Sequence, residues 1–317
     1  MDVVVIMDGP ETVSAATDTS FGLMLAAQER DHRVWHCSPA NVSLIDGLVW
    51  ATASPVTLDD EAVPPLGLGE PVDLDLTAVD VVFVRIDPPV DVAYLHLTLV
   101  LDALDGSTLV VNAPRGLRDA NEKLYAGRFP EITPPTIVTA DADRLLAFAA
   151  EHGAAVVKPI DGHGGRRVFI VRPDDPNAPS IIDALSGRGR VPIVAQRFLA
   201  AVEHGDKRIL LLEGQPLGAI LRRPAAEDFR ANVCVGGSVK AAELDEADHR
   251  IIEQLAPSLR ADGLAFVGID VIDDLLIEIN VTSPTGLRQL CRLSGRRPDL
   301  DVVRWIERRT SSASGVG

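Results

Sequence analysis

Cysteine is scarce in this chain. Three residues (Cys37, Cys234 and Cys291) among 317 lie far apart, with no Cys-x-x-Cys pair. That excludes a cysteine zinc ribbon and a disulfide framework, and the odd count fits a reducing compartment. Basic charge is also short. Thirty Lys and Arg face 46 Asp and Glu, a formal charge of −16, which argues against nucleic acid or an anionic membrane as the main partner but leaves room for a local basic pocket. No apolar run reaches the roughly 18 residues of a membrane span. Asp2 stands where an export signal has its basic region, and the apolar stretch behind it has only strand length, so the expected location is cytoplasmic. The seven histidines show no metal-ligand spacing, and there are no internal repeats.

What is present is the composition of a folded protein, 46% hydrophobic and 24% charged. The length exceeds what one core usually supports and predicts two or three domains. The first third alternates strand-like runs (residues 3–7, 34–36, 79–84, 109–112) with helical periodicity (21–30, 94–104), the pattern of a parallel sheet wrapped by helices. Residues 48–77, rich in Pro, Gly and Asp, are expected to hold no long element. A second block has a helix over 142–152 with Gly153 as its C-cap, then strands at 155–159 and 168–171. It reads as a small α+β lid. A third block holds strands at 193–198, 208–212 and 215–221, a helix over 245–259 and a closing hairpin. The expected domains are residues 1–121, 122–191 and 192–317.

That hairpin, residues 266–281, carries the densest chemistry. Strand alternation puts Glu278 and Asn280 on one face and Ile277, Ile279 and Val281 on the other. The turn decides whether Asp270 joins them. A two-residue turn at Asp273-Asp274 faces Asp270 away from Glu278. A three-residue loop over 273–275 sets the two opposite each other, and this loop is the expectation. Three oxygen-bearing side chains then converge, which suits Mg²⁺ completed by water and phosphate oxygens. Taken alone, the same pattern also fits a solvated sheet face.

Gly162-His-Gly-Gly165 follows Lys158-Pro-Ile-Asp161 between two short strands. Glycines there let backbone N–H groups approach an anion. The loop is not a Walker motif, because no Gly-Lys-Ser/Thr and no helix follow. Lys158 ends an apolar run, so its ammonium is expected to be buried and to need an anionic partner. Arg208, Arg222 and Arg230, near strand ends, suit a phosphoryl group and a carboxylate, although each alone also reads as a surface arginine.

The order of these pieces is more specific than any one of them: Asn-Glu-Lys at 121–123, Lys-Pro-x-Asp-Gly-x-Gly-Gly at 158–165, Gly-Asp-Lys-Arg at 205–208, Arg-x-Pro at 222–224, then Asp270 and Glu-Ile-Asn-Val-Thr-Ser-Pro at 278–284. Over nearly its whole length the chain resembles the ATP-grasp superfamily, specifically the bacterial glutathione synthetases. The resemblance implies an α/β (α+β) ATP-grasp fold, with an N-terminal pre-ATP-grasp parallel-sheet domain and a mobile lid. It implies ATP-dependent ligation of glycine to γ-glutamylcysteine through an acyl phosphate, giving glutathione, ADP and phosphate. By matching position, Lys123 and Lys158 hold ATP phosphates, and Gly164 and Gly165 cover them. Gln196, Arg197, Phe198 and Leu199 line the adenine pocket. Asp270, Glu278 and Asn280 carry two Mg²⁺, or Mn²⁺, and Arg208 and Arg222 stabilise the transition state. Asp18, Ser20, Phe21, Arg85, Arg230, Thr285 and Gly286 face the substrates. A homotetramer is implied as well. Departures from the family pattern fall at Ile86, Val90, Ala113 and residues 226–231. They favour, as a second reading, a ligase for another acid and amine. A third reading is a nucleotide-binding protein without turnover.

Overall fold

The computed structural model describes residues 1–104, 106, 108–162, 164–224 and 238–313. The first sheet begins with β1 (Asp2–Met7), whose Val and Ile side chains are buried on both faces, as a central parallel strand requires. There follow α1 (Thr19–Gln28), β2 (Arg33–Cys37), β3 (Val42–Ile45), β4 (Leu48–Leu58), β5 (Leu66–Leu68), β6 (Val72–Asp75), β7 (Val81–Arg85), α2 (Val92–Leu101), β8 (Leu109–Val111) and α3 (Pro114–Asp119). The path through the sheet is β3-β4-β2-β1-β7-β8, with β5 and β6 pairing β4. The pairs β1–β2, β1–β7 and β7–β8 are parallel, as the alternation predicts. The segment 48–77 differs from expectation. It holds β4, an eleven-residue strand with alternating burial. Pro55 reads as a breaker, yet it sits where β4 leaves β6, paired through Ala53, and takes up β5 from Val56.

The second sheet contains β9 (Thr136–Thr139), β10 (Ala155–Pro159), β11 (Phe169–Val171) and β12 (Ile193–Arg197), in the order β11-β10-β12-β9 and wholly antiparallel. Two helices cover it. The first, α4 (Ala142–His152), ends on Gly153 at φ 75° as expected, and α5 (Ala178–Ser186) follows β11. Ala155, Val157, Ile193 and Ala195 face them in a separate core with Leu145 and Ile182. The sequence groups residues 193–198 with the third block, whereas β12 is hydrogen-bonded inside this second sheet.

The third sheet runs β15-β14-β13-β16-β17, from β13 (Asp206–Leu212), β14 (Gln215–Arg223), β15 (Ser238–Ala242), β16 (Phe266–Ile272) and β17 (Leu275–Asn280). Helix α6 (Glu246–Ala261) precedes β16 and opens on a capping box between Asp245 and Asp248. Helices α7 (Leu287–Ser294) and α8 (Pro298–Ala313) close the chain, and α8 packs on α1. No helix among the described residues is long and apolar enough to cross a membrane.

Candidate active site

One face of the third sheet carries the charge, and period-two alternation explains why. Residue pairs across the ladder share a face. Asp206 pairs with Arg222, Arg208 with both Ile220 and Asp270, Asp270 with Glu278, and Gly268 with Asn280. All therefore project to one side. The intervening Ile209, Leu211, Ala219, Ile269 and Ile279 enter the opposite, apolar core. Gly268 makes room on the charged side: a Cβ there would lie 3.1 Å from the Arg208 side chain.

The hairpin corrects the sequence reading in one respect. Its turn has two residues, Asp273 and Asp274, both at positive φ (51° and 60°), the backbone of a type I′ hairpin turn. Ile272 pairs with Leu275 and Val271 with Leu276. Left regular, that register would face Asp270 away from Glu278. A β-bulge intervenes: the pairing shifts between Asp270 and Val271, so that Ile277 is the extra residue and Asp270 stands opposite Glu278. The two carboxylates share a face, as expected, but the bulge rather than a three-residue loop puts them there.

The charges on this face are knitted together. Arg208 donates from Nε to Asp270 Oδ1 at 2.5 Å and from Nη2 to Oδ2 at 2.9 Å. Arg222 reaches Asp270 Oδ2 at 2.9 Å and binds Asp206 through two bonds of 2.6 Å. Burial opposes ionisation of Asp270, but the two guanidinium groups overcome it and hold its carboxyl well below the usual carboxylate range. Asn280 donates from Nδ2 to Asp270 at 3.3 Å, and Lys123 pairs with Glu278 at 3.2 Å.

The second sheet supplies the facing wall. Val156 and Lys158 point to the same side of β10, and Gln196 is the partner of Val156 on β12. Lys158 is 6% exposed, and its ammonium has neither a hydrogen bond nor an ion pair among the described residues. Burial pushes its pKa down, while Glu278 and Asp270 pull the other way. Gly164 and Gly165, at φ 61° and 72°, take backbone conformations that side chains resist. The carbonyl of Gly162 accepts a hydrogen bond from Lys123 Nζ.

Between the walls lies a cavity of about 560 Å³. Sixteen of the residues singled out from sequence line it: Asp18, Lys123, Lys158, Gly164, Gly165, Gln196, Arg197, Phe198, Leu199, Arg208, Arg222, Asp270, Glu278, Asn280, Thr285 and Gly286. Gly286, at φ 114°, precedes α7 where a Cβ would come within 3.0 Å of Ile220. Three others lie behind the wall. Phe21 is wholly buried in the core. Ser20 accepts from Arg85 Nε at 3.1 Å, and Arg85 Nη2 donates to Pro284 O at 3.0 Å. Arg230 and the 226–231 departures lie outside the described residues. Ile86 and Val90 pack against the core, and Ala113 meets Gly263. None of the three lines the cavity.

Two residues with structural consequences carried no signal by themselves. Asn112 donates to Phe266 O at 2.8 Å and Val281 O at 2.7 Å, and accepts from Phe266 N at 2.7 Å. It thereby clamps the first residue of β16 to the residue just after β17. Glu122 accepts from Val281 N, Thr282 N and Thr282 Oγ1 at 2.9–3.3 Å. Glu122 falls within the Asn-Glu-Lys motif, yet neither residue type shows which backbone groups it meets.

The donor chemistry fits a metal–nucleotide pair. No group of three His, Cys, Asp or Glu with metal-binding placement occurs among the described residues. Two carboxylates and one amide on a single face nonetheless suit a hard cation that takes its other oxygens from water and phosphate. The unpartnered Lys158 ammonium opposite them suits the phosphate itself.

Comparison with known proteins agrees. The fold matches a D-cycloserine synthetase with a TM-score of 0.65 at 16% identity, covering 99% of this chain and all of that one. It also matches a D-alanine–D-alanine ligase of Bacillus anthracis, solved with ATP, with a TM-score of 0.60 at 16% identity and full coverage of both. These likenesses show the fold of the ATP-grasp ligases. Residues 1–118 match the prokaryotic glutathione synthetase N-terminal domain, and residues 122–295 match its ATP-grasp domain. Glutathione synthetases of Rhodopseudomonas palustris (45% identical, 96% of this chain, 97% of that one) and Thermosynechococcus vestitus (43%, 96% and 99%) are similar throughout. The chain belongs to the prokaryotic glutathione synthetase family, and it is an ADP-forming ligase of glutathione synthesis.

Proposed function

We propose that the cavity holds ATP against the γ-glutamylcysteine carboxylate, with each wall serving one partner of the transfer. Lys123 and Lys158 bind the phosphates, and the backbone of Gly164 and Gly165 covers them. Gln196, Arg197, Phe198 and Leu199 hold the adenine. Asp270, Glu278 and Asn280 bind two Mg²⁺, which when present neutralise phosphate charge. Phosphoryl transfer rests on positioning and charge compensation more than on covalent help from the protein. Arg208 and Arg222 sit on the same face and steady the negative charge that builds on the transferring group.

The chemistry balances as follows. A cysteinyl carboxylate oxygen bonds to the γ-phosphorus and ADP leaves. The glycine nitrogen then bonds to the acyl carbon and loses a proton, and phosphate departs with the carboxylate oxygen. Asp18, Thr285 and Gly286 flank the substrates, and Arg230 is a further substrate-binding residue. Ser20, Phe21 and Arg85 act one layer back, by fixing the wall. The observation that carries this reading is the buried Lys158 ammonium. Among the described residues it has no hydrogen bond or ion pair, only the longer-range pull of Glu278 and Asp270, and it stands between a glycine loop and a carboxylate–amide face.

Residues 1–121 form the N-terminal domain, 122–191 the lid and 192–317 the remaining domain. Sheet membership would move the second boundary past Arg197. The protein works as a cytoplasmic homotetramer. Ile86, Val90 and Ala113 pack away from the cavity, which favours γ-glutamylcysteine and glycine over another acid and amine. Phosphate release, measured with each of ATP, Mg²⁺, γ-glutamylcysteine and glycine omitted in turn, tests the reading. It should require all four. Release sustained only by a different acid and amine pair would contradict it.

A further inference from the structure

Gln289 carries a polar group that the fold buries and leaves alone. It is the third residue of α7, 4% exposed, and it lines the cavity. Its Oε1 is covered and has no hydrogen-bond partner among the described residues. Burying such an oxygen unpaired is costly, and folded proteins seldom leave one so. On a cavity wall, a ligand that brings its own donor accounts for it.

The position narrows that ligand. The first turn of α7 is stapled to the N-terminal segment: Arg288 Nε donates to Ala15 O at 2.8 Å, and Leu287 N to Thr19 Oγ1 at 3.4 Å. These bonds bring the first turn of α7 to residues 15–19, and Ser14, Thr17, Asp18, Gly286 and Gln289 all line the cavity. A carboxylate, two hydroxyls and a bare amide oxygen make a surface rich in acceptors. Arg208, beside Thr285 and Gly286, is already held by Asp270, and the cavity's lysines serve phosphates and carboxylates. An ammonium group is what this part of the wall lacks.

We infer that Gln289 accepts a hydrogen bond from the amino group of an amino-acid substrate, and so helps to select that substrate. The inference rests on the reaction proposed above. Both γ-glutamylcysteine and glycine carry an amino group, and kinetics with each varied in turn identifies the one read.

The test compares Gln289→Leu and Gln289→Glu in the full chain, measuring KM for γ-glutamylcysteine, glycine and ATP, with kcat and Tm alongside. Gln289→Leu should raise KM for one amino-acid substrate roughly ten-fold or more, the loss expected for a hydrogen bond to a charged group, and leave KM for ATP unchanged. Gln289→Glu keeps an acceptor and should hold that KM within about two-fold. Where Leu lowers Tm, Gln289→Met, of similar length, takes its place. Unchanged KM values in the apolar variant overturn the inference, as does a common rise in all three. Glu performing as badly as Leu also overturns it, because the amide would then be donating to a carboxylate. These outcomes are read against wild-type protein that turns over both substrates. Wild-type protein inert with that pair would overturn the reaction itself.

Discussion

Lys158 and Asp270 represent two ways of burying a charge. Among the described residues Lys158 makes no hydrogen bond or ion pair, and burial outweighs the pull of Glu278 and Asp270, so its burial is a cost the fold bears for a ligand. Lys158→Met should therefore leave Tm unchanged or raise it, while weakening ATP binding roughly 10- to 100-fold, the worth of a charge-assisted contact. Calorimetric titration with ATP and a thermal melt check both halves. Asp270 is the reverse case. Its carboxylate neutralises Arg208 and Arg222, so removing its charge strands two buried cations. Asp270→Asn should abolish turnover and destabilise the fold by about 3–5 kcal/mol. Glu278→Gln should abolish turnover with little loss of stability, and denaturant titration of the two variants separates them. Sequence made the chemical types of both residues legible, together with the burial of Lys158. It did not show that Asp270 is held by arginines, because partners on β13 and β14 are separated from it by some fifty to sixty residues of chain.

Elements set these residues in register, and here the sequence is a poorer guide. Alternation correctly assigns Glu278 and Asn280 to one face. The bulge at Ile277, which recruits Asp270, has no glycine or other local mark. Nor does alternation show that Phe21, in a helix of evenly apolar character, is buried all round. The hairpin is further pinned at its open end by the three backbone bonds of Asn112. Asn112→Ala should cost about 2–4 kcal/mol, at roughly 1 kcal/mol per lost bond plus the exposed partners. It should also raise the Mg²⁺ concentration needed for half-maximal rate, as titration of activity against Mg²⁺ would show. At the start of α6 the sign of a pH effect is set by Asp245. Its carboxylate accepts from Lys207 at 2.8 Å and caps the helix, which holds its pKa below the ordinary 3.8. A depressed carboxyl contributes stability that is present above the unfolded value and lost as pH falls through the folded one. Melting curves from pH 5 downward should thus drop less steeply for Asp245→Asn than for wild type below about pH 4.

At the scale of the whole molecule, an acidic chain of net charge −16 gathers Lys123, Lys158, Arg208 and Arg222 around a single cavity. Composition excludes a basic surface for nucleic acid but says nothing of such focusing. Three sheets were legible as three blocks because turn signals and motif order divide the chain that way. The placement of β12 in the second sheet was not, since a strand's pairing partners depend on the fold around it and not on its own residues. Nor could the pattern reveal which departures from the family touch the site. Ile86, Val90 and Ala113 prove to be packing positions. On the proposed reaction, one face passes the γ-phosphoryl group of ATP to a carboxylate, and an amine then bonds to the acyl carbon and displaces phosphate. The direct measurement is turnover with γ-glutamylcysteine carrying ¹⁸O in both oxygens of its cysteinyl carboxylate, followed by mass analysis of the products. One labelled oxygen should appear in each phosphate released, and the other should remain in the new amide. Phosphate free of label would contradict the account.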